Sequence, residues 1–211
     1  MIIAVDGPTA SGKGTIARAL AAHFGLPHLD TGLLYRAVGR QVFLDGGDAD
    51  NAGDALAATT FPDGLLEDPA LRSEANGGLA SRVSVHPSVR EALYDRQRRF
   101  ALKPGGAVLD GRDIGTKIAP EADVKLFIQA DSKARMERRA RQLEARGTVV
   151  DRYALYHQIE ERDARDMLNP NGGFYKADDA HLLDTTLLDI EAALRAAIAI
   201  VDGTMARKAG S

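Results

Sequence analysis

Residues 5–15 read VDGPTASGKGT, directly after the short apolar run MIIA at residues 1–4. Beyond them Ile16, Ala19, Leu20 and Phe24 recur at helical spacing, so the segment reads as strand, glycine-rich turn and helix. Glycine lets backbone amides approach and surround an anion, and a helix starting behind the turn adds unpaired N–H groups and the positive end of its dipole. Gly7, Gly12, Lys13 and Thr15 set the pattern G-x-x-x-x-G-K-G-T, with Pro8, Thr9, Ala10 and Ser11 forming the turn and Gly14 separating the lysine from the hydroxyl. In such a cradle Lys13 meets the outer phosphates of a nucleoside triphosphate, and Thr15 is the usual type of ligand for the accompanying Mg²⁺. An ordinary glycine-rich turn requires neither the lysine nor the hydroxyl at this spacing.

Further strands are expected at LPHLD (26–30), Ala107–Leu109, Val124–Ile128 and Leu182–Leu183. Between them lie helical patterns: Gly14 to Phe24, a second helix at residues 31–46 with Thr31 as its cap, and charged stretches at Ser132–Arg146 and Arg152–Asp166. A closing helix is expected at Ile190–Val201. Strands alternating with helices predict an α/β fold in three layers around a mostly parallel five-stranded sheet. Residues 1–42 and 101–203 form its core and residues 43–100 a small, largely helical insert. Residues 204–211 read as a flexible tail.

The 211 residues include no cysteine, which excludes disulfides, thiolate metal sites and a cysteine nucleophile. A net charge of −3 argues against non-specific binding to nucleic acid polymers. The absence of a basic leader or a long apolar run argues against export and membrane insertion and makes the cytoplasm the expected compartment. His23, His28, His86, His157 and His181 show no metal-ligand spacing and read as structural or surface residues.

The receiver of the terminal phosphate must be sought among arginines, whose planar forks pair with phosphate. Arg36 and Arg112 follow strand ends or capped turns, where open α/β sheets bind ligands. Arg135, Arg138, Arg139 and Arg141, with Arg162 and Arg165, crowd like charges onto two helices, and an incoming polyphosphate would explain their gathering. Asp110 is placed to orient metal-bound water, and Asp113 to accept from an amino group on an acceptor base. Acceptors compatible with these residues include another nucleoside monophosphate such as UMP or AMP and a small metabolite; a non-enzymatic nucleotide switch is a further class.

GPTASGKGT, LDTGLLYRA, SRVSVHPSVREAL, VLDGRDIGT, RDARD and DTTLLDIEA together resemble the bacterial cytidylate kinase family over nearly the whole chain. The resemblance implies a P-loop kinase fold with a monophosphate-binding insert and a short lid at about 138–166. It also implies a monomer that transfers phosphate from ATP, with Mg²⁺, to CMP and dCMP. Gly7 to Thr15 would bind ATP; Thr31, Arg36 and Arg112 would serve the acceptor. Ser81, Arg90 and Asp113 match positions that read cytosine, and Arg162 and Asp166 those that meet the pentose. Lys13, Arg112, Arg138 and Arg139 would carry catalysis, the last two from the lid. Two departures stand out: Asn169 replaces a family arginine in RDMLNPNGG, with Arg165 or Lys176 as its possible substitutes, and about fifteen residues of the insert are missing between Arg36 and Leu71.

Overall fold

The computed structural model describes residues 1–169 and 173–210; the run directly after Asn169 and Ser211 of the expected tail lie outside the described residues. Five strands, β1 (Ile2–Asp6), β2 (His28–Asp30), β3 (Ala107–Gly111), β4 (Val124–Gln129) and β5 (His181–Asp184), form one parallel sheet in the order β2-β3-β1-β4-β5. The registers put Asp6 beside both Gly111 and Phe127, and Asp30 beside Asp110. β1 is central and almost wholly buried, because helices cover both sheet faces, as a parallel sheet requires.

On one face α1 (Lys13–Phe24) and α8 (Ile190–Ala209) cover Ile3, Val5, Leu126 and Ile128 with Ile16, Leu20, Ala197 and Val201. On the other, Ala4 and Leu109 meet Ala101, Ile114 and Ile118. The chain leaves the core through α2 (Thr31–Leu44) into α3 (Ala52–Ala57), several 3-10 turns, α4 (Glu74–Val83) and α5 (Pro87–Ala101). Leu34, Val38 and Val42 of α2 share an apolar cluster with Phe61, Leu71, Val83, Val89 and Leu93, so α2 is the floor on which the insert sits. A separate small cluster, Met136, Ala140, Leu155 and Ile159, joins α6 (Ser132–Glu144) to α7 (Arg152–Leu168).

Two local expectations are corrected. Thr31 is not the cap of α2: Asp30 occupies that position, and the Thr31 hydroxyl instead donates to the Asp110 carbonyl at 2.8 Å. The flexible tail expected at 204–211 is helical as far as Ala209, despite a helix-weakening glycine at 203. Thr204 anchors it to Ile200 and His181, and Met205 packs on the core. No helix among the described residues is long and apolar enough to cross a membrane.

Candidate active site

The loop after β1 turns through three residues of positive φ, Gly7, Ala10 (φ 59°) and Gly12. Gly7 has φ 150°, and a Cβ there would lie 2.1 Å from the Ile128 carbonyl oxygen, so the tight passage from β1 under β4 admits glycine alone. Gly12, at φ 93°, precedes α1 in the left-handed region and turns the helix N-terminus toward the loop. Inside this ring the Ser11 hydroxyl is buried without a hydrogen-bond partner, and Lys13 donates to the Pro8 carbonyl at 3.2 Å.

The charges around Lys13 show what the cradle suits. Burial, and then the nearby Arg112 guanidinium, lower its pKa to about 7, against the opposing pull of Asp110 and Asp30. Arg36 is lowered to about 10 by burial and by Arg162, and Arg162 is lowered by burial and by Arg112. The Nε and Nη1 of Arg162 are buried with no hydrogen-bond partner. Three cations held down by burial and by neighbouring guanidiniums, with unmatched donors among them, fit a polyanion.

A consequence for stability follows. Between about pH 7 and the ordinary lysine value of 10.5, folded Lys13 binds fewer protons than unfolded Lys13, so stability rises with pH through that window. Below the window the cost of the buried charge is fully present. The melting temperature of the ligand-free protein is expected to rise from about pH 7 to about pH 9 more steeply than that of Lys13→Met; identical slopes would remove Lys13 as the cause.

The residues around Thr15 fit a divalent cation carried in with phosphate. Asp30 and Asp110 stand beside each other at the ends of β2 and β3, and burial and the Asp110 charge raise the Asp30 pKa. A Cβ at Gly14 would lie 3.3 Å from Asp110 Oδ2, so the glycine between lysine and threonine leaves this carboxylate close access to α1. Among the described residues no group of three or more His, Cys, Asp or Glu could hold a metal alone. That suits Mg²⁺, which keeps several waters and takes much of its coordination from substrate phosphates.

Opposite the loop, Arg112 ties three elements together. Its Nη1 donates to the Gly7 carbonyl at 3.1 Å, its Nη2 to the Thr9 hydroxyl at 2.6 Å, and its Nε to Asp166 at 3.0 Å. Asp166 also accepts from the Ser81 hydroxyl at 2.9 Å. Arg90 of α5 is ion-paired with Asp113, whose carboxyl is pushed up by burial and held back by Arg90. Arg36 donates from Nη1 to the carbonyls of Leu71 (2.5 Å) and Ser73 (3.1 Å), with Nη2 beside Gly77 of α4. The cleft, about 1220 Å³, is lined by the loop from Thr9 to Thr15 and by Thr31, Arg36, Ser81, Arg90, Arg112, Asp113, Arg138, Arg139, Arg162 and Asp166. Gly7 and Pro8 support the loop from behind it.

The charged helices divide. Arg135 is buried against Asp163 and donates to the Thr9 carbonyl at 3.0 Å, so it braces the loop. Arg138 donates to Ser11, Thr185 and Leu188 carbonyls, whereas Arg139 is engaged with Glu74 and the Arg72 carbonyl. Asn169 lines the cleft and donates to the Ser84 carbonyl at 3.0 Å. Arg165 and Lys176 are not among the lining residues, and Lys176 turns back onto the carbonyls of Ala177 and Ala180.

Two contributors went unread in the sequence. His28, the first residue of β2, has Nε2 2.7 Å from Asp110 Oδ1, a contact for which the sequence carried no signal. Asp6, fully buried with its pKa raised to about 7 by that burial, accepts from the Ile114 and Gly115 amides at 2.8 Å and so holds the Arg112–Asp113 loop against β1.

Comparisons with known proteins place the chain in a family. The sequence profile described as Cytidylate kinase matches residues 3–202. A cytidylate kinase of Methylocella silvestris is 53% identical over 208 residues, 96% of this chain and 94% of its own. One of Xanthobacter autotrophicus is 53% identical over 210 residues, 100% of both chains, which leaves no room there for a longer insert. A solved structure of an uncharacterized protein from Eubacterium ventriosum shares the fold, with a TM-score of 0.56 at 16% identity, over 96% of this chain and 98% of its own. With its P-loop architecture and a match spanning nearly its full length, the chain belongs to the cytidylate kinase family and is a phosphotransferase.

Proposed function

We propose that the cleft transfers the terminal phosphate of ATP to CMP and dCMP, yielding the diphosphates. The observation that carries this reading is Arg112, which joins the phosphate loop at Gly7 and Thr9 to the acceptor-side carboxylate Asp166. One guanidinium thereby stands between a triphosphate cradle and a pocket with its own cations. A hydrolase or a nucleotide switch has no use for the second pocket.

In this mechanism the loop amides and Lys13 take the β- and γ-phosphates, Arg36 and Arg112 hold the acceptor phosphate in line, and Arg162 meets the pentose. Thr15, with waters oriented by Asp110, would hold Mg²⁺, which when bound would offset phosphate charge. The acceptor phosphate is already ionised near neutral pH, so no general base is needed. Arg112 meets the charge that develops between donor and acceptor, Arg138 arrives from α6 on the triphosphate side, and closure of α6 and α7 excludes competing water.

The base is read by Asp113, Arg90 and Ser81. Cytosine presents one amino donor beside two acceptors, matching a carboxylate next to a guanidinium. Uracil would set a carbonyl against Asp113 and cost roughly 1–3 kcal/mol for each lost pairing. Asp166, already an acceptor from Ser81 and Arg112, has its pentose partner in the sugar hydroxyls.

The test is ADP release with Mg-ATP and equal concentrations of CMP, dCMP, UMP, AMP and GMP. Preference for CMP and dCMP is expected, and Asp113→Ala should cut the CMP to UMP ratio of kcat/KM by at least about tenfold. A wild-type preference for another monophosphate, or none above ATP hydrolysis, refutes the assignment. A parallel fall for CMP and UMP in Asp113→Ala would make Asp113 a scaffold residue.

A further inference from the structure

Glu74 opens α4 at the edge of the insert, yet its partners lie on the two helices of the lid. Its Oε1 accepts from Nε of Arg139 on α6 and pairs with Nη2 of the same residue. Its Oε2 lies 3.7 Å from Nη1 of Arg162 on α7. The remaining donors of Arg139 go to the Arg72 carbonyl at 2.9 Å and to Gln142 at 3.3 Å. Arg36, Arg139 and Arg162 line the cleft and Glu74 does not, so the carboxylate stands behind the arginines rather than in the place of a ligand.

A glutamate in the first turn of a helix complements the helix dipole and needs no other reason to be there. That argument does not explain a carboxylate set among arginines from two other helices. The charges explain it: burial and mutual proximity oppose the ionised forms of Arg36 and Arg162, while Glu74 favours both. The next turn of α4 is shaped to the same end. A Cβ at Gly77 would lie 2.9 Å from Arg162 Nη1 and 3.0 Å from Arg36 Nη2, so the bare helix face makes room for both guanidiniums.

We infer that Glu74 is a positioning residue, the latch by which the lid grips the insert. It fixes Arg139 against the insert and turns Arg162 and Arg36 toward the acceptor nucleotide. Arg139 then serves closure, and Arg138, bonded to Ser11, Thr185 and Leu188, serves the donor side. The kinetic part of this inference rests on the acceptor reading above; the mechanical part does not.

The chain has no cysteine, so spin labels on Ala57→Cys in α3 and Ala145→Cys at the end of α6, both exposed, report the distance from insert to lid without background. A narrow ligand-free distribution is expected, broadening toward longer distances in Glu74→Gln and equally in Arg139→Gln. In kinetics Glu74→Gln should raise KM for CMP about tenfold, with KM for ATP changed less than about twofold. Glu74→Gln/Arg139→Gln should be no worse than either single variant. Superimposable distance distributions, or kinetic effects that multiply in the double variant, overturn the latch. If Glu74→Gln does not fold, Arg139→Gln decides the distance test alone. A wild-type enzyme that ignores CMP would refute the acceptor reading and still leave the distance measurement to judge the latch.

Discussion

Lys13→Ala is expected to lower kcat by roughly a thousandfold while KM for CMP changes less than about threefold. The side chain is half-buried at the loop, donates to the Pro8 carbonyl and lies in the field of Asp110 and Asp30, which leaves donors free for a phosphate. In phosphoryl transfer the charge on the moving group grows toward the transition state, and a fixed cation contributes most there. Steady-state kinetics with saturating Mg-ATP and varied CMP measure both quantities. A loss confined to KM would reduce Lys13 to an anchor for ground-state phosphate.

Arg112→Ala is expected to lower kcat/KM for CMP by about a thousandfold, affecting kcat and KM together. The guanidinium holds the Gly7 carbonyl, the Thr9 hydroxyl and Asp166 at once, so its removal disorders both sides of the reacting phosphates. Arg112→Lys should recover little, because an ammonium is a point charge and cannot span three partners from one plane. Recovery to within about tenfold of wild type would show that charge alone is required at this position. Unaltered folding of both variants, followed by circular dichroism, isolates the chemistry from stability.

The sheet was legible because its strands are short apolar runs ending in polar turns, and because the loop pattern fixed which strand is central. Lys13, Arg112, Asp113 and Asp166 were legible as motif residues, and the fold does bring them to one cleft. Partnerships between distant segments were not legible. Nothing in HLD announces that His28 meets Asp110, 82 positions on, and the glycine at 77 weakens the helical pattern of α4 for a packing reason only the fold reveals. Thr31 was misread because a threonine before an apolar run is a normal cap; a carbonyl from the neighbouring strand claims its hydroxyl. The last turns of α8 were misread because Asp202 and Gly203 are poor helix formers locally, whereas tertiary anchoring by His181 and the core decides the outcome.

Arg112 has one more consequence, which concerns thermodynamics rather than rate. A side chain bonded both to the donor loop and to the acceptor carboxylate makes the two binding events parts of one equilibrium. Any factor by which a bound triphosphate tightens the monophosphate must be returned as the same factor by which the monophosphate tightens the triphosphate. On that reading the two substrates cannot be bound as strangers: whatever one does to the hold on the other is done back to it in equal measure.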